Sequence, residues 1–403
     1  MIFIFYIFAA ILIFFSYKSF RGGIDYLNFF KKELAKPKSN FTPFVSIIAP
    51  CRGLDEDLER NLTALFRQDF PNYEVIFVVD DEKDEAVKVI EKVSREGAKN
   101  AKSKIVVARK ATESAQKAEN LREAVLHVSD QSKVFVFVDS DARPAANWLR
   151  DLIAPLKDEK IGAATGYRWF ISKKMNFASE MRSAWNASIA STLGANLKKN
   201  FAWGGSMAMR REVFENLKIR EKWQGILSDD FVVTRAMKAA NLPIYFVPQA
   251  LTATVENCTF GELLEFTTRQ MKITRVYAQS LWIQAFVGAG LFNLVMISAV
   301  IISINPPATA GGSDIFALFT LILVSFFSIG KSWLRLKAVA LILKEYDNEL
   351  KKQFWTQNTL WILSSALYFY NCFQALLSRK IVWRGITYQL ISPERTSIIS
   401  IKD

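Results

Sequence analysis

The sequence predicts an α/β domain with a Rossmann-like sheet, flanked by transmembrane helices at the N-terminus and in the C-terminal region. Between residues 40 and 255, short β-rich apolar runs alternate with longer amphipathic runs. Alternation of this kind is typical of parallel sheets with helices between the strands. Uncharged apolar runs lie before and after this region, and such runs of about 20 residues are typical of membrane spans.

Composition agrees with a membrane protein and argues against a nucleic-acid partner. Hydrophobic residues make up 51% of the 403 residues, and the net charge is +13. No basic run interleaved with aromatic residues forms a nucleic-acid-binding stripe. Much of the positive charge instead lies beside apolar segments, where it fits contact with lipid headgroups and the positive-inside rule.

Residues 1–20 form the predicted N-terminal membrane anchor. The run 2–17 carries no charge, and Lys18, Arg21 and Lys31 follow it. A cleaved signal peptide, the alternative, has its positive charge in front of the apolar run. The order here favours a retained anchor that leaves the following domain on the cytoplasmic side.

The domain at 40–255 contains four predicted strands, and three of them lead into tips with polar residues. The strands cover 44–50, 73–81, 104–110 and 133–141. Ligands of parallel α/β sheets bind at the carboxyl ends of strands, so the tips of three of these strands are expected to line one crevice. The residues at those tips that we expect to bind a ligand are Pro50, Arg52, Asp80, Asp81, Asp139 and Asp141.

The remaining third of the chain is predicted to be membrane-associated. An amphipathic interfacial helix (256–280) is followed by transmembrane and interfacial helices (281–380) and a tail (381–403). The loop at 305–314 has no Lys or Arg, which suits the non-cytoplasmic side. Basic residues flank the last span on both sides, so the sequence leaves the side of the C-terminus open. The alternatives are a re-entrant last segment and an N-terminal run that does not cross the membrane fully. Predicted spans cover 281–304, 315–330 and 354–377, with a basic interfacial helix pair at 331–353.

Carboxylates are the candidates for chemistry, because the chain has one histidine and three cysteines without metal-ligand spacing. Asp139 and Asp141 point to the same side if the strand continues, and form a hard oxygen site for Mg²⁺ or Mn²⁺ that could bridge a diphosphate. An Asp-x-Asp at a strand end is also a common loop or helix cap. Asp80 and Asp81 could accept hydrogen bonds from a nucleobase or ribose, or form a solvated acidic loop.

Further candidates lie later in the domain. Asp230, after Asp229, could act as a general base that takes a proton from a hydroxyl, although two acids in a first helical turn are also favoured by the helix dipole. Gly204 and Gly205 allow close backbone approach to a ligand. Arg269 and Lys272, about one turn apart, could bind a diphosphate or, equally, lipid headgroups.

Taken in order, several motifs resemble family 2-type glycosyltransferases, and within them the ceramide glucosyltransferase-like group. The resemblance runs from about residue 43 to 277, with a weaker echo near the C-terminus. It is carried by the segments PNYEVIFVVDDEKDEAV, KAENL, FVDSDAR, WGGSMAMRREVF, SDDF and RQMKITR.

The resemblance implies a GT-A fold, a divalent metal and inversion at the anomeric carbon. It implies that Asp80 or Asp81 contacts the nucleotide and that Lys117 and Asn120 lie near it. Asp139 and Asp141 match the metal and diphosphate motif, Asp230 the catalytic base, and Arg269 and Lys272 the basic pair of a (Q/R)-x-x-R-W motif. Trp383, Arg384, Gly385 and Tyr388 resemble a short C-terminal WRG-type element.

Two departures from the family motif change the expected function. Lys272 stands where the motif has Arg, which keeps the charge but loses the bidentate fork. Ile273 stands where it has the Trp that stacks on growing sugar chains in polymer-making relatives. The second change argues against a processive polysaccharide synthase.

The resulting hypothesis is transfer of a hexose, with glucose favoured, from a UDP-sugar to a ceramide-like membrane lipid. Alternative acceptors are a polyprenyl phosphate, a diacylglycerol or a hopanoid, and polysaccharide synthesis is a further alternative. A catalytically silent membrane scaffold is the competing non-enzyme hypothesis, and filled acidic positions weigh against it. A transporter is poorly supported, because the predicted spans carry no charged residue in their middle.

Overall fold

The computed structural model describes residues 2–306 and 311–401, which form two compact units. The membrane-helix unit comprises Met1–Lys31, Met175–Ser191 and Cys258–Ser378. The catalytic-domain unit comprises Lys32–Lys174, Thr192–Asn257 and Arg379–Asp403. Each unit therefore consists of three separate stretches of the chain, and each is described by itself below.

The catalytic-domain unit is built on a seven-stranded mixed sheet with the strand order β3-β2-β1-β4-β7-β5-β8. Strands β1, β2, β3 and β4 are parallel, whereas β7 is antiparallel to β4 and β5. The strands are β1 (Val45–Pro50), β2 (Tyr73–Val79), β3 (Lys102–Val107), β4 (Val134–Phe137), β5 (Ala163–Thr165), β6 (Arg168–Ile171), β7 (Met207–Arg210), β8 (Ile244–Phe246), β9 (Thr252–Val255), β10 (Lys380–Trp383), β11 (Ile386–Ser392) and β12 (Arg395–Ile401).

Fourteen α-helices accompany these strands in the described residues. They are α1 (Ile2–Leu34), α2 (Leu58–Leu65), α3 (Glu85–Gly97), α4 (Gln116–Ala124), α5 (Trp148–Ile153), α6 (Phe177–Ala190), α7 (Arg211–Asn216), α8 (Ile219–Lys222), α9 (Asp229–Ala239), α10 (Phe260–Tyr277), α11 (Gln279–Ile304), α12 (Ser313–Ala340), α13 (Asp347–Thr359) and α14 (Trp361–Leu377).

The α/β fold predicted from the sequence is confirmed, and its parallel part is the part with the clearest sequence pattern. All four predicted strands exist. Three of them, β1, β2 and β4, are nearly continuous runs of buried, mostly β-branched or aromatic residues. The strands after β4 have three or four residues each up to β9. Strands that short carry too little periodicity to be recognised without their neighbours.

The membrane-helix unit contains helices that fit a bilayer. Three helices, α1, α11 and α12, are long and apolar enough to cross a membrane. One apolar cluster joins them: Phe5, Ala9 and Leu12 of α1 pack with Val295 and Ala299 of α11 and with Ala317 and Val324 of α12. A second cluster joins α6, α10, α11 and α14 around the fully buried Trp185.

Three sequence-based boundaries differ from the structure. Helix α1 runs to Leu34, well beyond the apolar run 2–17, and α12 continues to Ala340 through the region predicted as the first interfacial helix. The predicted third span, 354–377, is two helices, α13 and α14, which meet at 68°. Part of the predicted loop at 305–314, residues 307–310, lies outside the described residues.

The predicted C-terminal tail is an ordered part of the catalytic-domain unit. Residues 380–401 form a three-stranded antiparallel sheet, β10-β11-β12. Its first turn contains Arg384 and Gly385, with φ angles of 47° and 77°, which is the geometry of a type I′ hairpin turn. The backbone N–H of Thr396 also donates to the carbonyl oxygen of Gly225 at 2.7 Å.

Candidate active site

The carboxyl ends of β1, β2 and β4 bring polar side chains to one edge of the sheet, as the sequence predicts. Arg52 follows β1, Asp80 follows β2, and Asp139 follows β4. Arg52 Nη1 lies 3.9 Å from Asp80 Oδ2, and the Asp80 side chain is 4% exposed. Pro50 ends β1 beside these groups. The three strand tips therefore form the base of a charged crevice.

Lys117 joins two of the predicted acidic motifs. It lies in the first turn of α4, and its Nζ is 2.8 Å from Asp139 Oδ1 and 3.2 Å from Asp229 Oδ1. Burial by itself would lower the pKa of Lys117, but Asp139 and Asp229 outweigh it and raise that pKa. Lys117 is therefore a fixed cation between the two motifs.

Asp139 and Asp141 share a second cation, Arg168, at the start of β6. Arg168 Nη2 lies 3.5 Å from Asp139 Oδ2, and Nη1 lies 3.2 Å from Asp141 Oδ2. Burial by itself would raise the pKa of Asp139, but the charges of Lys117 and Arg168 hold that pKa below its usual value. Burial raises the pKa of Asp141 to about 6. No motif in the sequence identifies Arg168 as a site residue.

The second acidic pair opens α9. Asp229 is buried, and its burial raises its pKa to about 6. Asp230 is only partly buried and accepts hydrogen bonds from its neighbours Ser228 Oγ and Phe231 N. Adjacent residues in a first helical turn point in different directions, so Asp229 faces Lys117 while Asp230 is held by its local backbone.

The C-terminal hairpin adds a guanidinium to the crevice. Arg384 Nη2 is 2.6 Å from Asp55 Oδ1, and Nη1 donates to the carbonyl oxygen of Arg52. Ser140 Oγ donates to the other oxygen of Asp55, so Arg384 is linked to the loop that carries Asp139 and Asp141. Burial by itself would lower the pKa of Arg384, but the charges of Asp55, Asp141 and Asp139 raise that pKa above its usual value.

Tyr388 fixes the hairpin to α4. Its hydroxyl oxygen accepts a hydrogen bond of 3.2 Å from the backbone N–H of Gln116, the residue before Lys117. The side chain of Tyr388 is almost fully buried. Sequence reasoning identified the hairpin residues only by resemblance and gave Arg384 no role, because 244 residues separate Arg384 from Ser140 along the chain.

Other predicted residues have more indirect positions. Asp81 is half-exposed and pairs with Lys110 at 3.0 Å. Asn120 is 2% exposed and accepts a hydrogen bond from the side chain of Gln116, so a direct contact with a nucleotide stays a prediction. Gly205 has little free space, because a Cβ there would lie 2.1 Å from the ring of Trp203.

The two predicted cations of the basic motif lie in the membrane-helix unit, on α10. Arg269 lies 4.0 Å from Glu265 and over the ring of Phe266. Burial lowers the pKa of Lys272. Ile273, at the position of the motif's Trp, is buried. A catalytic role for Arg269 and Lys272 stays a prediction.

Asp139 and Asp141 fit a divalent cation. Asp141 Oδ1 is buried and has no hydrogen-bond partner, which is the state expected of an oxygen that can take a metal. Within residues 2–306 and 311–401, no group of three or more His, Cys, Asp or Glu side chains could hold a metal. Mg²⁺ is commonly held by one or two carboxylates with substrate phosphates, so the remaining ligands would come from a bound diphosphate and water.

Gly204 allows the Lys117–Asp229 contact, and its replacement by alanine is expected to disrupt that contact. A Cβ at this position would lie 2.4 Å from Asp229 Oδ2 and 2.9 Å from Lys117 Nζ. We expect Gly204→Ala to destabilise the protein by about 1–3 kcal/mol and to reduce activity further than that loss explains. Gly194→Ala is the matched control, because no atom lies within 4 Å of the added Cβ. Thermal unfolding and activity of both variants check the prediction; equal behaviour would contradict it.

Comparison with known proteins identifies relatives of this chain. Over 77 residues, 19% of this chain and 15% of the relative, the sequence is 30% identical to a ceramide glucosyltransferase of Komagataella phaffii. The chain thus matches well under two thirds of that relative's length. Two solved structures are similar. Mannosyltransferase PcManGT from Pyrobaculum calidifontis in complex with GDP-Man and Mn²⁺ is 17% identical with a TM-score of 0.47, and the match covers 92% of this chain and 99% of that one. S. aureus TarS 1–349 in complex with UDP-GlcNAc is 14% identical with a TM-score of 0.38, and the match covers 89% of this chain and 100% of that one.

The family model for glycosyl transferase family 21 matches residues 6–396, nearly the whole chain. The match includes the anchor helix, the GT-A-type catalytic domain, the membrane helices and most of the C-terminal hairpin. This chain, a glycosyltransferase with helices apolar enough to span a membrane, belongs to glycosyl transferase family 21.

Proposed function

We propose that this protein is an inverting glycosyltransferase that moves a hexose, with glucose favoured, from a UDP-sugar to a hydroxylated, ceramide-like lipid. The observation that carries the proposal is the convergence of two acidic motifs on Lys117. Asp139 and Asp229 lie 90 residues apart in the chain, yet both contact its Nζ. The family membership and the partial match to a ceramide glucosyltransferase support the choice of lipid.

The proposed reaction divides the crevice into a donor side and an acceptor side. On the donor side, Lys117, Arg168 and Arg384 supply positive charge where the leaving diphosphate gains negative charge. A divalent cation held by Asp139 and Asp141 would neutralise further charge on that group. On the acceptor side, Asp230 takes the proton from the lipid hydroxyl as it attacks the anomeric carbon.

Asp229 has a different role from Asp230 in this proposal. Its Oδ1 is bound to Lys117 and its Oδ2 would meet any side chain at residue 204. Asp229 therefore positions Lys117, whereas Asp230 is only partly buried and can reach a substrate. Phe231 N and Ser228 Oγ hold one oxygen of Asp230 and leave its other oxygen for the substrate hydroxyl.

Arg384 offers a guanidinium fork on the proposed donor side of the crevice. We expect Arg384→Gln to raise the dissociation constant for UDP about tenfold to a hundredfold, the effect of losing a hydrogen bond to a charged group. Glutamine keeps the same non-glycine backbone strain at φ 47°. Calorimetric titration with UDP and Mn²⁺ checks this prediction.

Arg379→Gln is the matched control, because Arg379 lies directly before the same hairpin and its guanidinium donates to the carbonyl oxygen of Ile391 at 3.1 Å. Equal UDP affinity in Arg384→Gln, Arg379→Gln and the parent would remove Arg384 from the donor site. A lower melting temperature for Arg384→Gln alone would identify a structural role instead.

The order in which the chain enters and leaves the catalytic-domain unit supports a specific membrane topology. Because the hairpin after residue 378 belongs to this unit, the stretch 258–378 starts and ends on the same side of the bilayer. The number of crossings in between is therefore even: α11 and α12 cross, and the bent pair α13–α14 re-enters. We propose that this side is the cytoplasm, because Lys18, Arg21 and Lys31 follow the apolar run 2–17.

Cysteine labelling on intact cells tests this topology. The three native cysteines are buried, so an added exposed cysteine dominates the labelling by a membrane-impermeant maleimide. We expect Gly311→Cys to react from outside the cell and Ile399→Cys to react only after permeabilisation. Reaction of both cysteines from the same side would contradict the even number of crossings.

The activity itself is tested by transfer of labelled sugar in membranes that contain the full chain. UDP-glucose is supplied with ceramide, diacylglycerol or a polyprenyl phosphate, with and without a chelator, and the Asp230→Asn variant is assayed beside the parent with each lipid. A chelator-sensitive glycolipid with ceramide supports the proposal. Product with another lipid alone rejects the ceramide acceptor, and absence of both product and UDP binding supports the silent scaffold.

A further inference from the structure

Two cations lie inside the membrane-helix unit, apart from the crevice residues described above. Lys331 and Arg335 are one helical turn apart on α12, directly after its apolar stretch 315–330. Arg335 is 5% exposed, and Lys331 is partly buried. Charged side chains buried between membrane helices are costly and commonly mark a binding site.

The groups that contact these cations are neutral. Lys331 Nζ donates to Ser19 Oγ of α1 at 2.9 Å. Arg335 Nη2 donates to Gln357 Oε1 of α13 at 3.3 Å, and Arg335 Nε is buried without a hydrogen-bond partner. In residues 2–306 and 311–401, no carboxylate is within ion-pair distance of either cation.

Two like charges that are buried side by side without a counter-ion are unfavourable for two reasons. Each loses hydration worth several kcal/mol, and cations one turn apart on a helix repel one another. Tight packing prevents α1 from moving aside there, since a Cβ on Gly23 would lie 3.3 Å from Lys331 Cα. The arrangement therefore favours an anion from outside the chain as a counter-ion.

We infer that Lys331 and Arg335 bind the phosphate group of an anionic membrane lipid. The cations follow the apolar part of a predicted span, which is the depth at which headgroup phosphates lie. A guanidinium and an ammonium together suit phosphate oxygens. Lys331 is the less buried cation, so the phosphate approaches from its side.

The neutral neighbours fit the same ligand. Ser19 brings a hydroxyl to Lys331, and Gln357, which also donates to Ser183 Oγ at 3.0 Å, brings an amide to Arg335. Hydroxyl and amide groups can both donate to phosphate oxygens. Ser19, Lys331, Arg335 and Gln357 thus form a site from three helices, α1, α12 and α13.

The test uses the purified full chain, stripped of lipid by detergent exchange. Phosphatidylglycerol, phosphatidylcholine, diacylglycerol and inorganic phosphate are added separately, and bound lipid is measured by native mass spectrometry. We expect retention of one phosphatidylglycerol and a rise in melting temperature with that lipid alone. Equal retention of phosphatidylcholine or diacylglycerol overturns the inference, and an equal melting-temperature rise with inorganic phosphate rejects a lipid as the source.

A double variant locates the site. Lys331→Gln/Arg335→Gln is expected to lose phosphatidylglycerol affinity about tenfold or more. The control is Lys337→Gln, because Lys337 lies on the same helix, is exposed and has its Nζ over the ring of Trp333, 4.2 Å from the ring centroid. Unchanged lipid affinity in the double variant would overturn the assignment, and the measurements on the parent protein still decide the lipid class if that variant does not fold.

Discussion

Replacement of Asp230 by asparagine is expected to lower turnover about a thousandfold, the middle of the range for loss of a general base. The asparagine side-chain oxygen can still accept the hydrogen bond that Phe231 N donates to Asp230, so the start of α9 should remain intact. UDP affinity should therefore change little. Single-turnover rates with a saturating lipid acceptor and calorimetric titration with UDP measure the two quantities separately.

Asp158→Asn is the control for this change. Asp158 is an exposed aspartate that also accepts a hydrogen bond from a nearby backbone N–H, that of Lys160 at 2.9 Å. Its replacement should leave turnover unchanged. Nearly full activity of Asp230→Asn would show that the acceptor needs no base, as expected for a polyprenyl phosphate, whose attacking oxygen is already anionic.

The second large effect is expected at Asp141, whose buried Oδ1 has no hydrogen-bond partner among the described residues. Asp141→Asn should lower activity about a hundredfold to a thousandfold, the loss expected when charge stabilisation of a leaving group is removed. It should also raise the Mn²⁺ concentration needed for half-maximal activity, because a neutral amide is a weaker ligand than a carboxylate. Activity measured against Mn²⁺ concentration checks both expectations.

Asp57→Asn is the matched control for Asp141→Asn. Asp57 also pairs with two cations, Arg143 at 3.0 Å and Lys173 at 2.9 Å, and its φ of 60° suits asparagine. Removing its charge should change stability slightly and leave the Mn²⁺ dependence unchanged. If Asp141→Asn kept the parental Mn²⁺ curve, Asp141 would not be a metal ligand.

The sequence predicts those parts of the fold and of the candidate site in which the polar residues directly follow or begin a recognisable strand or helix. The strands β1, β2 and β4 are apolar runs that are followed by Arg52, Asp80 and Asp139, and the tips of parallel strands must meet at one edge. The start of α9 at Asp229 was also recognisable, because acidic residues favour a first helical turn. These features depend on residues that are close together in the chain.

Prediction was less complete where distant segments meet. Arg168 pairs with Asp139 and Asp141 from the four-residue strand β6, which carries too little periodicity to be predicted. The sequence predicts one span over 354–377, where the structure has a bend between α13 and α14, because hydropathy measures composition and not helix direction. Both features depend on packing that no local window contains.

The sequence by itself determined the α/β class, the membrane helices and the acidic residues at the strand tips, because each of these has a periodic or compositional signal. Only the tertiary structure decided which cations neutralise those acids and where the last 20 or so residues belong. Lys117, Arg168 and Arg384 come from an α-helix, a strand and a hairpin turn that lie far apart in the chain. Charge pairing acts through space over a few ångströms, so it becomes visible only once the chain has folded.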